Sequence, residues 1–123
     1  MPRVTWTAWK WGYEFTYRKG RDTFTARLKD IVYLEVNVRK ITVHFHDGSD
    51  DEFYGVLSEV YEAQLKAADF LLIHAAYAVN YDYVTEVGFN SLSIQGSALP
   101  VARNRRAHVR RQYADISNRR RLG

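Results

Sequence analysis

The densest group of side chains able to do chemistry in this chain is a set of arginines near its C-terminus. Residues 101–123 hold 8 Arg and one acid, Asp115, a net charge of +7, whereas residues 1–100 hold 10 Lys or Arg and 13 Asp or Glu, a net charge of −3. A guanidinium group can donate two parallel hydrogen bonds to a phosphate or to the edge of a guanine base. Such a block is typical of proteins that bind nucleic acids or anionic surfaces, although a solvated basic helix or tail has the same composition.

Histidines and carboxylates elsewhere in the chain raise the question of a metal site or an enzyme. His44 and His46 lie at i and i+2, so they share one face of a strand and could bind Zn²⁺ with a neighbouring carboxylate. The acids that follow them also serve to form a turn, and they are Asp47, Asp50, Asp51 and Glu52. His74 could act as a base with Glu35 or Glu86, but no spacing identifies such a pair. We therefore expect no metal, no cofactor and no catalytic residue.

Composition excludes several further classes of protein. The chain of 123 residues has no Cys, which excludes disulfides and thiolate chemistry. No stretch approaches the roughly 18 apolar residues of a membrane span, so no membrane segment is expected. The N-terminus lacks the apolar core of a signal peptide, which makes the cytoplasm the default location. The length allows one domain with a moderate core.

Alternation of apolar and polar residues indicates strands in the first half of the chain. Residues 9–17 alternate in this way, Gly20 can take a positive φ in the turn that follows, and residues 23–28 are predicted to return as a strand. Further strands are predicted over residues 31–38, 41–46 and 50–54. Turns at residues 37–40 and at Asp47-Gly48 join them.

Two segments are predicted to be helices. Leu57, Val60, Tyr61 and Leu65 lie at i, i+3, i+4 and i+8, which predicts one apolar stripe of a helix over residues 56–67. From residue 103 onward an apolar residue recurs at intervals of four and three, which predicts a basic helix with a thin apolar stripe formed by Val109, Tyr113 and Ile116. The three arginines at residues 119–121 are predicted to form a frayed tail.

The stretch at residues 70–84 is the centre of the predicted fold. Its four apolar residues at 70–73 predict either a strand buried on both faces or the last rung before a turn. Asn80 stands between apolar neighbours, where its amide is costly unless it finds hydrogen-bond partners. Residues 83–89 and 91–94 are predicted to pair, and residues 98–101 follow a turn at residues 95–97. This many short strands with one mid-chain helix and a basic C-terminal helix predict a mainly β protein.

Several of these markers, in this order, resemble the LytTR-type DNA-binding domain of bacterial transcription regulators. The central markers are Phe70, Ile73, His74, Ala75, Ala76, Tyr77, Val79 and Asn80, followed about twenty residues later by Leu99-Pro100-Val101-Ala102-Arg103. Two upstream stretches also match, Asp30-Ile31-Val32-Tyr33-Leu34-Glu35 and Phe53-Tyr54-Gly55. The resemblance covers roughly residues 13–112. It implies an elongated arrangement of small antiparallel sheets, and a division into an N-terminal linker or cloning remnant (residues 1–8), the LytTR-like domain (residues 9–116) and a basic tail (residues 117–123).

The resemblance also implies a function and a site. The function is sequence-specific binding of double-stranded DNA through loops in the major groove, by a stand-alone regulator or by the DNA-binding half of a response regulator of a two-component system. The implied partners are promoter sites, with repeated half-sites and self-association on DNA as further expectations. Three loops would face DNA, and their residues are Asn37, Arg39, Lys40, His74, Ala75, Ala76, Arg103, Asn104, Arg105 and Arg106. The alternative from another class is a protein-interaction module that does not bind specific DNA.

This chain departs from the family pattern at the expected DNA face. Relatives often carry a basic or amide residue at the position of Ala75, and Ser at the positions of Ala76 and Ala102. Leu72 stands where many relatives carry Arg. Missing hydrogen-bonding groups would weaken base readout, phosphate contact or both, so the departures indicate a different DNA site, weaker binding, or a chain that was altered at these positions.

Overall fold

The structure is a computed structural model that describes residues 13–122, and the part of the first predicted strand at residues 9–12 lies outside them. It consists of ten strands and two α-helices, joined by short helical turns. The strands are β1 (Glu14–Lys19), β2 (Asp22–Arg27), β3 (Ile31–Asn37), β4 (Lys40–Phe45), β5 (Asp50–Tyr54), β6 (Phe70–His74), β7 (Tyr77–Asn80), β8 (Val84–Val87), β9 (Ser91–Ile94) and β10 (Ser97–Pro100). The helices are α1 (Leu57–Val60) and α2 (Arg106–Leu122). The predicted mainly β fold of small antiparallel sheets with two helices is confirmed.

The centre of the fold is a five-stranded antiparallel sheet with the order β5-β4-β3-β7-β6. Its middle strand, β3, pairs on both sides, so that Glu35 lies opposite Thr42 of β4 and opposite Tyr77 of β7. Because Glu35 is near the end of β3 and Tyr77 begins β7, the β3–β4 turn and the β6–β7 turn lie at the same end of the sheet. This register is what brings distant parts of the sequence to one edge.

Each face of the central sheet is covered by its own hydrophobic core. Strand β6 shows this directly, because Phe70 packs into one cluster while Leu71 and Ile73 pack into the other. All three side chains are fully buried. The prediction of a strand buried on both faces at residues 70–73 is therefore confirmed. A near-continuous apolar run is the expected pattern for a strand with no solvent face.

Asn80 satisfies its buried amide with backbone partners. Its Nδ2 donates to the carbonyl oxygens of Ile31 at 2.8 Å and Leu28 at 3.3 Å, and its Oδ1 accepts from the N–H of Asp82 at 3.1 Å. The side chain is fully buried, so these bonds offset the cost of desolvating the amide. Asn80 thus links the end of β7 to the start of β3.

The first core lies under the β1–β2 hairpin and α1. Phe15 and Tyr17 of β1 are buried there, and the Tyr17 hydroxyl donates to Asp51 of β5 at 2.7 Å. The predicted apolar stripe of the mid-chain helix is confirmed, since Leu57, Tyr61 and Leu65 are buried. The α-helical turn continues as a wider turn at Tyr61–Leu65 and a tighter one at Lys66–Ala68.

The second core lies under the three-stranded sheet, with the order β10-β9-β8, and α2. Val109 and Ile116 of α2 are buried in it, as the thin apolar stripe predicts. The strand predicted at residues 83–89 is shorter, because residues Tyr81–Tyr83 form a helical turn before β8 begins at Val84.

The prediction of a frayed tail at residues 119–121 is wrong. Helix α2 continues to Leu122. Arg119 Nη2 donates to Asp69 Oδ1 at 2.8 Å, and Arg120 Nη2 donates to Asp69 Oδ2 at 3.0 Å. Arg120 Nη1 also donates to Asp82 at 2.7 Å. Two carboxylates on neighbouring elements, which no local pattern could reveal, hold the helix end in place.

Candidate nucleic-acid interface

Three loops lie together at one end of the central sheet, which we call the loop edge (residues 37–40, 74–76 and 102–106). The N–H of Val36 donates to the carbonyl oxygen of Ala76 at 3.0 Å, which joins the first two loops. The N–H of Ala102 donates to the carbonyl oxygen of Ile73 at 2.9 Å, which joins the third loop to the second. The structure therefore brings all ten predicted site residues to one edge, although they lie in three separate parts of the sequence.

The first loop is a two-residue hairpin turn between Asn37 and Lys40. Val38 in this turn has φ +64° and is 91% exposed. A β-branched residue with positive φ is strained, and an exposed apolar tip adds nothing to the core. Arg39 is exposed beside it, and Lys40 contacts Glu52 only loosely at 3.7 Å. This turn therefore presents to solvent a guanidinium with no ion pair among residues 13–122 and a weakly paired ammonium.

The second loop holds the imidazole of His74 in one orientation. The N–H of Ala76 donates to His74 Nδ1 at 3.0 Å. Nδ1 therefore acts as acceptor, which leaves the proton of the neutral ring on Nε2 as a donor. The ring also packs edge-on against Tyr77, with centroids 5.7 Å apart. Ala75 is exposed and Ala76 is half-buried, so His74 supplies the side-chain donor of this loop.

The third loop is a helical turn, Arg103–Arg105, that precedes α2. Arg103 and Asn104 are exposed, whereas Arg105 and Arg106 are half-buried. Ala102 occupies the N-cap position, and no side chain caps the turn. An arginine and an amide that project together from a fixed turn can donate to phosphate oxygens and to base edges.

Ion pairing divides the arginines of the basic block into two groups. Arg119 and Arg120 are paired with carboxylates. In the described part of the chain, no carboxylate pairs with the other six arginines, at residues 103, 105, 106, 110, 111 and 121. All of these except Arg121 lie in the third loop or in the first turns of α2, so most of the unneutralised positive charge of the basic block lies at or beside the loop edge.

Sequence reasoning missed two residues next to this edge, Phe89 and Arg110. Phe89, in the β8–β9 turn, is 70% exposed, and the guanidinium carbon of Arg106 lies 4.7 Å from its ring centroid. Arg110 lies 6.0 Å from the same centroid. The spacing of Arg106 and Arg110 at i and i+4 on a helix could have indicated a shared face. Phe89 was predicted to end a strand, and nothing local indicated that an aromatic ring would be exposed there.

The histidines that suggested other chemistry are used elsewhere. His44 Nε2 lies 2.6 Å from Glu35 Oε1, and its ring stacks on Tyr33 at a centroid distance of 4.3 Å. His46 Nε2 lies 3.5 Å from Asp30 Oδ1. Glu35 therefore pairs with His44 and not with His74. Within residues 13–122 no three His, Cys, Asp or Glu side chains are grouped so that they could hold a metal ion.

Burial and a neighbouring charge raise the pKa of Tyr33 above its ordinary value. Burial of the phenol is the largest cause, followed by the nearby carboxylate of Glu35. The raised pKa keeps the Tyr33 hydroxyl protonated, as a neutral donor, to higher pH than usual. Among the described helices, none has the length and apolar character needed to cross a membrane.

Comparison with known proteins agrees with this geometry. The family model of the LytTr DNA-binding domain matches residues 21–114 of the chain. The chain belongs to the LytTr DNA-binding domain family. This family binds DNA and is not catalytic, so DNA binding by a transcription regulator is the function class of this LytTr domain. No curated protein matches the chain.

A solved structure has the same fold as this LytTr domain. It is the LytTr DNA-binding domain of a protein assigned as a methyl-accepting/DNA response regulator from Bacillus cereus. The two chains share 19% sequence identity and superpose with a TM-score of 0.66, and the match covers 81% of this chain and 95% of that one. At this identity the likeness establishes the fold.

Proposed function

We propose that this LytTr domain binds specific sequences in double-stranded DNA through the loop edge. The observation that carries the proposal is the convergence of three loops at one end of the central sheet, with free guanidinium groups on two of them. Arg39 and Arg103 can each donate two hydrogen bonds to a guanine in the major groove. Asn104 can pair with adenine or hold a phosphate.

The second loop contributes to this readout through His74. Its Nε2–H is a single donor held in a fixed direction, because Nδ1 is occupied by the backbone of Ala76. A fixed donor costs little entropy when it binds a base edge or a phosphate oxygen. Ala75 and Ala76 add no polar group, so in our proposal specificity at the centre of the site rests on His74.

Two structural features support a rigid recognition surface. The loops are short, and each is bonded to a strand of the buried sheet, which limits the freedom lost on binding. The adjacent end of α2 concentrates unpaired positive charge, which attracts the DNA backbone over a Debye length of about 8 Å at physiological salt. We propose that the regulator works on promoter DNA in the bacterial cytoplasm, on repeated half-sites and with self-association on DNA.

The salt dependence of DNA binding tests the proposal. Random genomic duplex fragments are first used in a gel-shift assay, and bound sites are then selected. If about four to six phosphates are neutralised, log K against log salt should have a slope near −4 to −5. Affinity should then fall by about 250- to 1000-fold between 50 and 200 mM salt. A protein that binds no duplex at low salt would overturn the proposal.

A further inference from the structure

A second surface, which we call the Phe89 patch, borders the loop edge and shares one residue, Arg106, with it; it is formed by Phe89, Arg106 and Arg110. Phe89 exposes 70% of its surface at the β8–β9 turn and lies outside the second core, whose aromatic residues are half-buried. The ring contributes nothing to the core from this position. Its contacts are with the two arginines, at 4.7 Å and 6.0 Å from the ring centroid.

The ring holds both guanidinium groups over a fixed platform. Arginine on an aromatic face is attracted by the electron density of the ring, by about 0.5–1 kcal/mol at an exposed site. Arg110 Nη2 is further positioned by the carbonyl oxygen of Gly88 at 3.4 Å. Two long cationic side chains are therefore ordered before any ligand arrives, which reduces the entropy lost on binding.

No described acid neutralises these cations. Neither Arg106 nor Arg110 forms an ion pair with a residue between 13 and 122, in contrast to Arg119 and Arg120 on the same helix. The Nε of Arg106 is buried without an acceptor among the described residues, so this guanidinium is not fully hydrogen-bonded within the described part of the chain. Two unneutralised cations side by side repel each other, and an anion that lies between them relieves that repulsion.

The Phe89 patch is continuous with the loop edge. The N–H of Val101 donates to the carbonyl oxygen of Asn90 at 3.0 Å, and the next residue, Ala102, donates to Ile73. The β8–β9 turn is thereby joined to the third loop. Arg106 and Arg110 are separated by about 6 Å along the helix axis, which is comparable with two base-pair steps of about 3.4 Å each.

We propose that the Phe89 patch is a second phosphate-binding surface, which grips the DNA backbone just outside the bases read by the loop edge. The inference rests on the proposed function and extends it to flanking DNA. A duplex backbone fits because it offers closely spaced phosphates on the path away from Arg103. Sequence does not matter at these positions, since phosphate contacts fix position and do not read bases.

The test uses two duplexes that contain the same selected site. One ends at the last base pair fixed by selection, and the other continues for about 10 base pairs of arbitrary sequence on each side, roughly one helical turn. The double variant Arg106→Ala, Arg110→Ala is compared with Arg121→Ala, an exposed arginine at the far end of α2 whose hydrogen-bond partner among residues 13–122 is Asn118. Phe89→Leu removes the aromatic ring but keeps a large apolar side chain, whereas Phe89→Ala removes both. Comparing the two variants shows whether the ring or the bulk matters.

On the long duplex at 50 mM salt, the double variant should bind about 10-fold more weakly, with a salt slope less steep by about 2. On the short duplex it should bind nearly as the parent does, and Arg121→Ala should change neither. Phe89→Ala and Phe89→Leu should both weaken binding to the long duplex, because Leu cannot attract a guanidinium. Ethylation of two phosphates outside the selected site should interfere with parent binding and not with the double variant.

Other outcomes overturn the inference. Equal losses on both duplexes would assign the two arginines to the loop edge itself. Unchanged DNA affinity, with one protein copy bound where the parent binds two, would make the patch a contact between copies. Unchanged affinity and unchanged copy number would make it a bystander. If the Arg39→Ala and Arg103→Ala variants still lose binding in any of these cases, the proposed function stands. A parent protein that binds neither duplex would overturn both the proposed function and this inference.

Discussion

The backbone N–H of Ala102 donates a 2.9 Å hydrogen bond to the carbonyl oxygen of Ile73. This bond fastens the segment that leads into α2 to the last buried residue of strand β6. It explains how the third loop comes to lie beside His74, which directly follows Ile73. The positions of the loop side chains are thus set by main-chain bonds to the central sheet, so substitutions of the side chains that we propose to contact DNA should change binding more than folding.

Replacement of Arg103 by Ala should weaken binding to the best DNA site by about 1–3 kcal/mol if Arg103 reads a base, and should flatten the preference at one position. The residue is exposed and has no described ion-pair partner, so the fold should be unaffected. Competition binding with single-base variants of the selected site measures the change. Arg121→Ala is the matched control, and a loss equal to that control at all sequences would reduce Arg103 to a bystander.

Polar groups restored in the second loop should tighten DNA binding. In the double variant Ala75→Lys, Ala76→Ser, the new ammonium adds about one released counterion, so the salt slope should steepen by about one. The substitution at the exposed Ala75 should change stability by about 0.5 kcal/mol or less, and the backbone of the half-buried Ala76 is already held by His74 and Val36.

The control for this variant is Ala67→Lys, which adds the same charge at an exposed position in the turn that follows α1. It should leave the salt slope nearly unchanged. If the double variant melts as the parent does but binds no better at low salt, the second loop does not face DNA.

Ala102→Ser should stabilise the protein by capping the turn at Arg103–Arg105. Ala102 has extended backbone angles, φ −60° and ψ 139°, and it provides no side-chain cap. A hydroxyl at such a position accepts from an unpaired N–H of the first turn and is worth about 0.5–2 kcal/mol. Urea unfolding measures the gain. The control is Ala107→Ser, at an exposed site within α2 where Ser is slightly unfavourable. It should lower the free energy of unfolding by a few tenths of a kcal/mol. A similar loss for Ala102→Ser would contradict the capping geometry.

Zn²⁺ or a chelator should leave the melting temperature unchanged. His44 is paired with Glu35 and His46 with Asp30, so the two imidazoles that could have formed a site face separate carboxylates. A structural metal contributes several kcal/mol to folding, and its removal shifts melting strongly. A drop in melting temperature with chelator, reversed by Zn²⁺ and absent in His44→Ala, would restore a metal site on β4.

Much of the fold follows from local pattern, because period and turn chemistry are local properties. The four apolar residues at 70–73 predicted either a strand buried on both faces or the last rung before a turn, and the structure shows the strand. The hydrogen bonds of Asn80 were also predictable, because an amide between apolar neighbours is costly unless it finds partners. The order of the strands in the sheet is a different matter, because the pairing of β3 with β7 joins segments about 40 residues apart.

The site was predicted through resemblance, and the structure adds what resemblance could not. The eight arginines of residues 101–123 look alike in sequence. In the structure, however, Arg119 and Arg120 form ion pairs with Asp69 and Asp82, while Arg106 and Arg110 lie over the ring of Phe89. Which arginine finds an acid depends on where α2 crosses the central sheet. That crossing is set by the burial of Val109 and Ile116 against the sheet. Local sequence patterns do not reveal it, because the strands of the sheet and α2 are far apart in the sequence.

Asp69→Asn should destabilise the protein at neutral pH and have progressively less effect in acid. Asp69 is buried, 8% exposed, and accepts hydrogen bonds from Arg119 and Arg120. Burial alone would raise the pKa of this carboxyl, but the two arginines outweigh that effect and lower its pKa below the ordinary value. The amide keeps the shape and loses the charge, which should cost about 1–3 kcal/mol at pH 7, as for hydrogen bonds to charged groups.

The direction of the pH dependence follows from the lowered pKa. The stabilisation is complete above the unfolded pKa of about 3.9 and is lost as the pH falls through the lower pKa of the folded state, because the carboxylate must then be protonated. The gap in unfolding free energy between parent and Asp69→Asn, measured in urea from pH 7 to pH 3, should therefore be constant down to about pH 5 and shrink below about pH 4. Asn accepts the left-handed backbone of this position, φ 62°, so the substitution adds little strain. Asp115→Asn, an exposed acid on α2, should show almost no gap at any pH, and a gap for Asp69→Asn that stayed constant to pH 3 would mean that the arginines do not hold a charged carboxylate.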